Sequence, residues 1–253
     1  MVSPDPYYHD GQVTLWCGDA RQIATWLAAD VLVTDPPYGV QAKRRRGTWS
    51  MPEERADAIA GDTDTEVRDT ILGMWAQRAL PGDTTIPVDA WWGRPAVVFG
   101  AVGMEAPYPT RKTLIYRKPP DAGTHGAVAG FRHDVEAVYL MGRPGLWPTD
   151  IGGRSSVLTT GARSVGGPGG PAARYGHQHA KPVDVMEELV RLTMWPVKAH
   201  TQPWTVADPF AGAGSTIVAA RNLGLSVLAV ELEEPNCERI VARLKQGALS
   251  FDD

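Results

Sequence analysis

The chain has 253 residues, with 25 Lys and Arg against 29 Asp and Glu and a formal net charge of −4. That length supports a core that folds alone, and 43% hydrophobic residues with nine Trp exclude global disorder. The sign of the charge excludes a uniformly basic nucleic-acid coat, and no apolar run approaches the roughly 18 residues of a membrane span. The polar, Pro-rich start lacks the basic and apolar regions of a secretory signal. Two cysteines, Cys17 and Cys237, suggest neither a disulfide framework nor a CxxC metal site, and a reducing cytoplasm is the expected compartment.

Val13–Trp16 is the first strand signal, closed by Gly18-Asp19, and Arg21–Ala29 reads as a short helix. Val31–Thr34 is a buried strand that stops at Asp35-Pro36-Pro37-Tyr38, because proline cannot donate to a ladder. Residues 41–63 read as a polar loop, and a helix follows from Thr65 to Leu80, ended by Pro81-Gly82. Ala96–Gly100, Thr113–Tyr116 and Glu136–Leu140 are further strands. From Pro144 to Gly176 periodicity disappears, and five of residues 161–170 are Gly. A helix from Lys181-Pro182 to Thr193 carries Val183, Met186, Leu189 and Val190 at helical spacing. Then come strand Trp204–Ala207, a Gly-rich turn, helix Ser215–Leu223, strand Ser226–Val230, and a helix with Cys237, Ile240, Val241 and Leu244 on one face. Strands alternating with helices predict an α/β domain with a mainly parallel sheet.

Two constellations carry chemistry. Asp208-Pro209-Phe210-Ala211-Gly212-Ala213-Gly214-Ser215-Thr216 follows a strand and opens a helix, and the next strand ends at Glu231. Glycines let the backbone turn sharply against a ligand, the helix start offers N–H groups, and the distant acid suits ribose hydroxyls. A dinucleotide fingerprint wants Gly or Ala where Ile217 stands, which disfavours a nicotinamide-dependent dehydrogenase and leaves a nucleoside-type cofactor; a tight structural turn is the bland alternative. Asp35-Pro36-Pro37-Tyr38 ends a buried strand, at the edge where open α/β sheets bind ligands. Asp35 and a backbone carbonyl can accept both N–H bonds of a planar amino-bearing substrate while Tyr38 stacks on its ring. A lone Asp-Pro-Pro would be read as a rigid turn.

Together the two units resemble the DNA methyltransferases that methylate exocyclic amino groups with S-adenosylmethionine. Asp35, Pro36, Pro37 and Tyr38 are similar to their catalytic motif, and Asp208, Phe210, Gly212, Gly214, Ser215 and Thr216 to their cofactor motif, in the permuted β-group order. Gly18-Asp19 resembles an element that contacts cofactor adenine, and His177-x-x-x-Lys181-Pro182 the element before the cofactor strand. The resemblance is firm over about residues 13–40 and 177–246. It implies a Rossmann-like methyltransferase fold with a seven-stranded, mainly parallel sheet and one antiparallel edge strand. It implies one domain over 1–253: a catalytic half (1–143), a Gly-rich target-recognition segment (144–176) and a cofactor half (177–253). Cofactor contacts are expected at Asp19, Lys181, the Gly loop and Glu231. DNA is the expected partner, with no membrane; a homodimer and a paired restriction endonuclease are left open.

In that family Asp at the first motif position usually accompanies adenine N6, and Ser cytosine N4, so Asp35 favours adenine. Cytosine N4, an RNA base, and a DNA-binding protein that has lost transfer are the rivals. The run Lys43, Arg44, Arg45, Arg46 beside the catalytic motif is either a solvated loop or a set of phosphate contacts. His177 and His179 have no carboxylate or Cys spaced to complete a site, so no metal is expected. His133, Asp134 and Glu136 read as a turn entering a strand, Trp91-Trp92 as packing, and Asp19 has a loop cap as its competing role. The mild acidity is a cancellation: residues 41–50 carry four basic and no acidic side chains, and 107–182 carry ten basic against four acidic. Those segments are where a DNA-binding face is expected.

Overall fold

Each central strand places apolar side chains on both of its faces, the pattern of a sheet covered on both sides. The computed structural model describes residues 4–37, 65–77, 94–120, 122, 130–142, 153–162, 180–194 and 204–249. Tyr38, Lys43, Arg44, Arg45, Arg46, Trp91, Trp92, His177 and His179 lie outside the described residues, as does the predicted helix end at Pro81-Gly82. The strands are β1 (Tyr8–His9), β2 (Val13–Cys17), β3 (Val31–Thr34), β4 (Ala96–Gly100), β5 (Thr110–Arg117), β6 (Val135–Met141), β7 (Val157–Thr159), β8 (Thr205–Asp208) and β9 (Ser226–Glu231). They form one sheet in the order β1-β2-β9-β8-β3-β4-β6-β5-β7. The helices are α1 (Glu66–Gln77), α2 (Val183–Thr193), α3 (Ser215–Asn222) and α4 (Glu234–Leu249).

β2, β9, β8, β3 and β4 run parallel, so their C-terminal ends share one edge. The α/β class and parallel centre agree with expectation; the strand count and the place of the reversal do not. Nine strands form among the described residues where seven were expected. The extra two, β1 and β7, have two and three residues, too few to show a period of two. β7 lies inside the segment expected to be irregular and forms because Ile115–Arg117 of β5 offers it a partner. The reversed strand is β6, and it is not at the edge: it lies between β4 and β5, antiparallel to both. At the true edge, β1 is also antiparallel to β2. The helix expected over Arg21–Ala29 is a 3-10 turn at Ala24–Ala28, because the Asp19 carbonyl accepts from both Gln22 and Ile23 N–H and closes the chain earlier.

Alternation along the strands builds two cores. Val31, Val33, Val97 and Phe99 point to the face covered by α2, α3 and α4, where Leu189, Ile217 and Ile240 pack. Leu32, Ala96, Val98 and Ala207 point to the face covered by α1 and the 3-10 turn. There Trp26 and Trp75 stack with ring centroids 6.1 Å apart, and the Arg94 guanidinium lies 4.0 Å from the Trp75 centroid. Cys17 and Cys237 are both free thiols, and folding brings them into the same core region. Among the described residues no helix is long and apolar enough to cross a membrane.

Candidate active site

The shared C-terminal edge gathers Asp35, Asp208 and Glu231, which end β3, β8 and β9 or follow them directly. β8 is followed by α3 and β9 on one side, whereas β3 and β4 continue the sheet on the other. The crevice at that switch in direction is where ligands enter an open α/β sheet. The two motifs meet across it: Thr34 Oγ1 donates to Asp208 Oδ1 at 2.7 Å. Asp208 also accepts from Phe210 N–H at 3.2 Å and from the Thr216 hydroxyl, and it is 2% exposed. Burial pushes its carboxyl up to about 7 against the pull of those donors. Asp208 is therefore the inward anchor that ties the Gly loop to β3.

The Gly loop is held from its own side. Gly212 and Gly214 have φ of 52° and 74°, a region that glycine enters without strain. A Cβ on Gly214 would lie 3.0 Å from Ile240 Cγ1, so α4 packs against the loop where a side chain would otherwise be. Gly212 N–H donates to Glu231 Oε2 at 2.7 Å, and Glu233 N–H and Asn236 Nδ2 donate to Oε1, each at 3.0 Å. Arg243 Nη1 donates to Ala213 carbonyl at 2.8 Å. Glu231 closes the loop and retains acceptor capacity for one further donor. Phe210 is half-buried beside this loop, and Ser215 Oγ is buried with no hydrogen-bond partner. An unsatisfied buried hydroxyl at a helix start beside two left-handed glycines fits a bound polar ligand.

Two expected cofactor contacts have other partners. Asp19 caps its own turn: Arg21 N–H and guanidinium bind its carboxylate, with an ion pair of 2.6 Å, and Arg21 holds its pKa below the ordinary value. Lys181 turns to the end of β3. Its Nζ lies 2.6 Å from Asp35 Oδ2, 3.0 Å from Glu136 Oε2 and 4.8 Å from the Phe99 ring centroid. Lys181 precedes α2, whose apolar stripe docks beneath β3, and that docking aims the ammonium at the strand end. Burial alone would lower the Lys181 ammonium, but Asp35 and Glu136 outweigh it and hold it above the ordinary lysine range. Asp35 and Pro37 are half-buried and Pro36 is buried.

Sequence reasoning missed Thr34, Glu136 and Lys118. Because β6 is antiparallel, its first residues reach the same edge as the C-terminal ends of its neighbours, with Glu136 opposite Tyr116. Lys118 follows β5 there, and its Nζ lies 2.8 Å from Glu136 Oε1. Burial would raise the Glu136 carboxyl, but Lys181 and then Lys118 hold it below its ordinary value. The available signal was a carboxylate on an otherwise apolar strand, which needs a cation when buried.

Comparison with known proteins bears on the same residues. The sequence model of the N6/N4 DNA methylase family matches residues 153–242, which include Lys181, the Gly loop and Glu231. Asp35 lies outside the matched stretch and joins it only through the fold. YubD of Escherichia coli (strain K12), a protein assigned as a methylase, is 29% identical over 89% of this chain and 88% of its own length. The likeness of fold to solved structures extends across the sheet. The PvuII DNA methyltransferase (cytosine-N4-specific) aligns with a TM-score of 0.60 at 14% identity, over 94% of this chain and 88% of that one. M1.HpyAVI in complex with SAM aligns at 0.55 and 18% identity, over 91% and 99%.

Proposed function

We propose that the chain is a DNA methyltransferase that transfers a methyl group from S-adenosylmethionine to adenine N6 of a flipped-out base. The observation that carries this reading is the joining of Asp35's strand to the Gly loop through Thr34 and Asp208. That bond sets a carboxylate and a nucleoside-type cofactor site side by side. Gly212, Gly214, Ser215 and Glu231 hold the cofactor, with Phe210 beside it. S-adenosylmethionine bound there supplies an electrophilic sulfonium methyl group.

An exocyclic amino nitrogen is a poor nucleophile because its lone pair is delocalised into the ring. Asp35 and the Pro36 carbonyl accept its two N–H bonds, which favours a pyramidal nitrogen and frees the lone pair. Holding that nitrogen in line with the methyl supplies most of the rate advantage by positioning and electrostatics. The paired base is inaccessible within a duplex, so it leaves the stack, and Tyr38 is the aromatic assigned to cover it. Asp35, rather than Ser, at the first motif position supports adenine over cytosine. Lys43–Arg46 are assigned to phosphate.

Asp35→Ala is expected to abolish methyl transfer to DNA while S-adenosylmethionine affinity by calorimetry stays close to wild type. Full transfer by that variant would sink the mechanism. Nucleoside analysis of the methylated DNA names the base: N6-methyladenine supports the reading, whereas N4-methylcytosine replaces it with transfer to cytosine.

A further inference from the structure

At the catalytic edge four side chains alternate in sign. They run from Asp35 through Lys181 and Glu136 to Lys118, with N···O distances of 2.6, 3.0 and 2.8 Å. They come from four places in the chain: the end of β3, the residues before α2, the start of β6 and the residue after β5. Only the outer ends approach water, the side chains of Asp35 and Lys118 being each 25% exposed against 11% and 12% for Lys181 and Glu136. Burying ions is expensive and replacing them by apolar residues is often harmless, so stability alone is a weak reason for such a ladder. Its geometry suggests a different reason.

Lys181 meets a single oxygen of Asp35, Oδ2, and a lone ammonium on a flexible stem could swing between the two carboxylate oxygens. Glu136 Oε2 attracts it from a second side at 3.0 Å and the Phe99 ring sits against it, so the ammonium has one stable placement. Lys118 fixes Glu136 in turn through the other oxygen of that carboxylate. With Oδ2 held at 2.6 Å from the Lys181 ammonium, the rotation of the Asp35 carboxylate is set, and so are the directions of its lone pairs.

We propose that Glu136 and Lys118 are positioning residues for methyl transfer: through Lys181 they fix the orientation of the Asp35 carboxylate towards the N–H of the target amino group. This rests on the reading of Asp35 given above. Neither residue touches substrate or cofactor; both act through the orientation of Asp35. The ladder therefore influences the chemical step and leaves cofactor binding alone, because the Gly loop is held by Glu231, Asn236 and Arg243.

The test uses the full chain, duplex DNA and S-adenosylmethionine, with kcat, both KM values and calorimetric cofactor affinity measured for Glu136→Gln, Lys118→Met, Lys118→Arg and Asp35→Ala. Glu136→Gln is expected to lower kcat about 10- to 100-fold, in line with loss of positioning at a reacting group. Cofactor affinity should stay within about twofold, since that site is separately built. Lys118→Met, whose side chain is partly exposed and whose loss the fold tolerates better, should lower kcat about three- to tenfold, and Lys118→Arg should restore most of it. A folded Glu136→Gln or Lys118→Met variant with wild-type kcat, beside an inactive Asp35→Ala, overturns the ladder alone. A fall in cofactor affinity matching the fall in kcat also overturns it. Full transfer by Asp35→Ala overturns the function itself, and the ladder's role with it.

Discussion

The Gly loop and the Asp35 turn sit side by side at one sheet edge, yet they are held by different means. The loop is held by neighbours close in sequence: Glu231, Glu233, Asn236, Ile240 and Arg243 all fall within about thirty residues of Gly212, and most contacts use backbone groups. The turn is held by side-chain ions from β6, from beyond β5 and from the start of α2, none of them near residue 35 in sequence. A site built from local backbone geometry tolerates surface change but not a side chain on its glycines. A site built from distant ions tolerates backbone variation but not loss of one charge.

The sharpest way to break that contrast is Lys181→Met. It strands the Asp35 and Glu136 carboxylates without their shared cation. Removing one partner of a buried ion network costs about 3–5 kcal/mol, so chemical denaturation should show a loss of that order. A loss below about 1 kcal/mol, the level of an exposed pair, would mean that water reaches the ladder. The loop counterpart is Gly214→Ala, which forces a side chain into a φ of 74° and brings it within 3.0 Å of Ile240 Cγ1. A loss of about 1–2 kcal/mol is expected together with weaker S-adenosylmethionine binding, and Gly214→Asn should be milder because Asn enters this region more readily. Equal losses for Ala and Asn would point to the Ile240 contact rather than to backbone strain.

The smallest expected effect lies at the seam between the two regions. Asp208 is raised from 3.8 to about 7, chiefly by burial, so over that interval the native state keeps a proton that the unfolded chain has lost. Its contribution is therefore complete below about pH 4 and declines as pH rises towards 7. Asp208→Asn removes this decline while leaving an acceptor for Thr34 and Phe210. The variant's melting temperature should gain on wild type from about pH 4 to about pH 7 and level off above that. A constant difference across that range would mean that Asp208 is ionised throughout.

This division explains how much could be read from the sequence. Strand and helix signals around Val31–Thr34, Thr205–Asp208 and Ser226–Glu231 are strong because apolar runs end at Pro or Gly, and the Gly-rich turn with its distant acid is a local pattern. Glu231 was legible as a residue of the site, although its three protein donors come from its own loop and from α4. Lys181 is legible as important, but sequence order places it next to β8 while α2 carries it to β3, where it meets Asp35. Glu136 read as a bland turn because its role depends on β6 being reversed inside the sheet. Pairing direction is a tertiary fact: the antiparallel return of β5 into β6, with Arg117 opposite Val135, brings an N-terminal carboxylate to an edge otherwise made of C-terminal ends.

The strand order carries a further consequence, for synthesis. β2 and β3 are consecutive among the parallel strands of the chain, yet β9 and β8 lie between them. A growing chain that has reached residue 200 holds β2 with no neighbour on its inner side and β3 with one flank open. Both flanks are apolar and present unpaired backbone N–H and C=O groups. Only when residues 205–231 emerge can the sheet become continuous, so its first half waits on strands made near the end. Fragments that stop short of β9 should be captured by chaperones or aggregate rather than fold as a smaller domain.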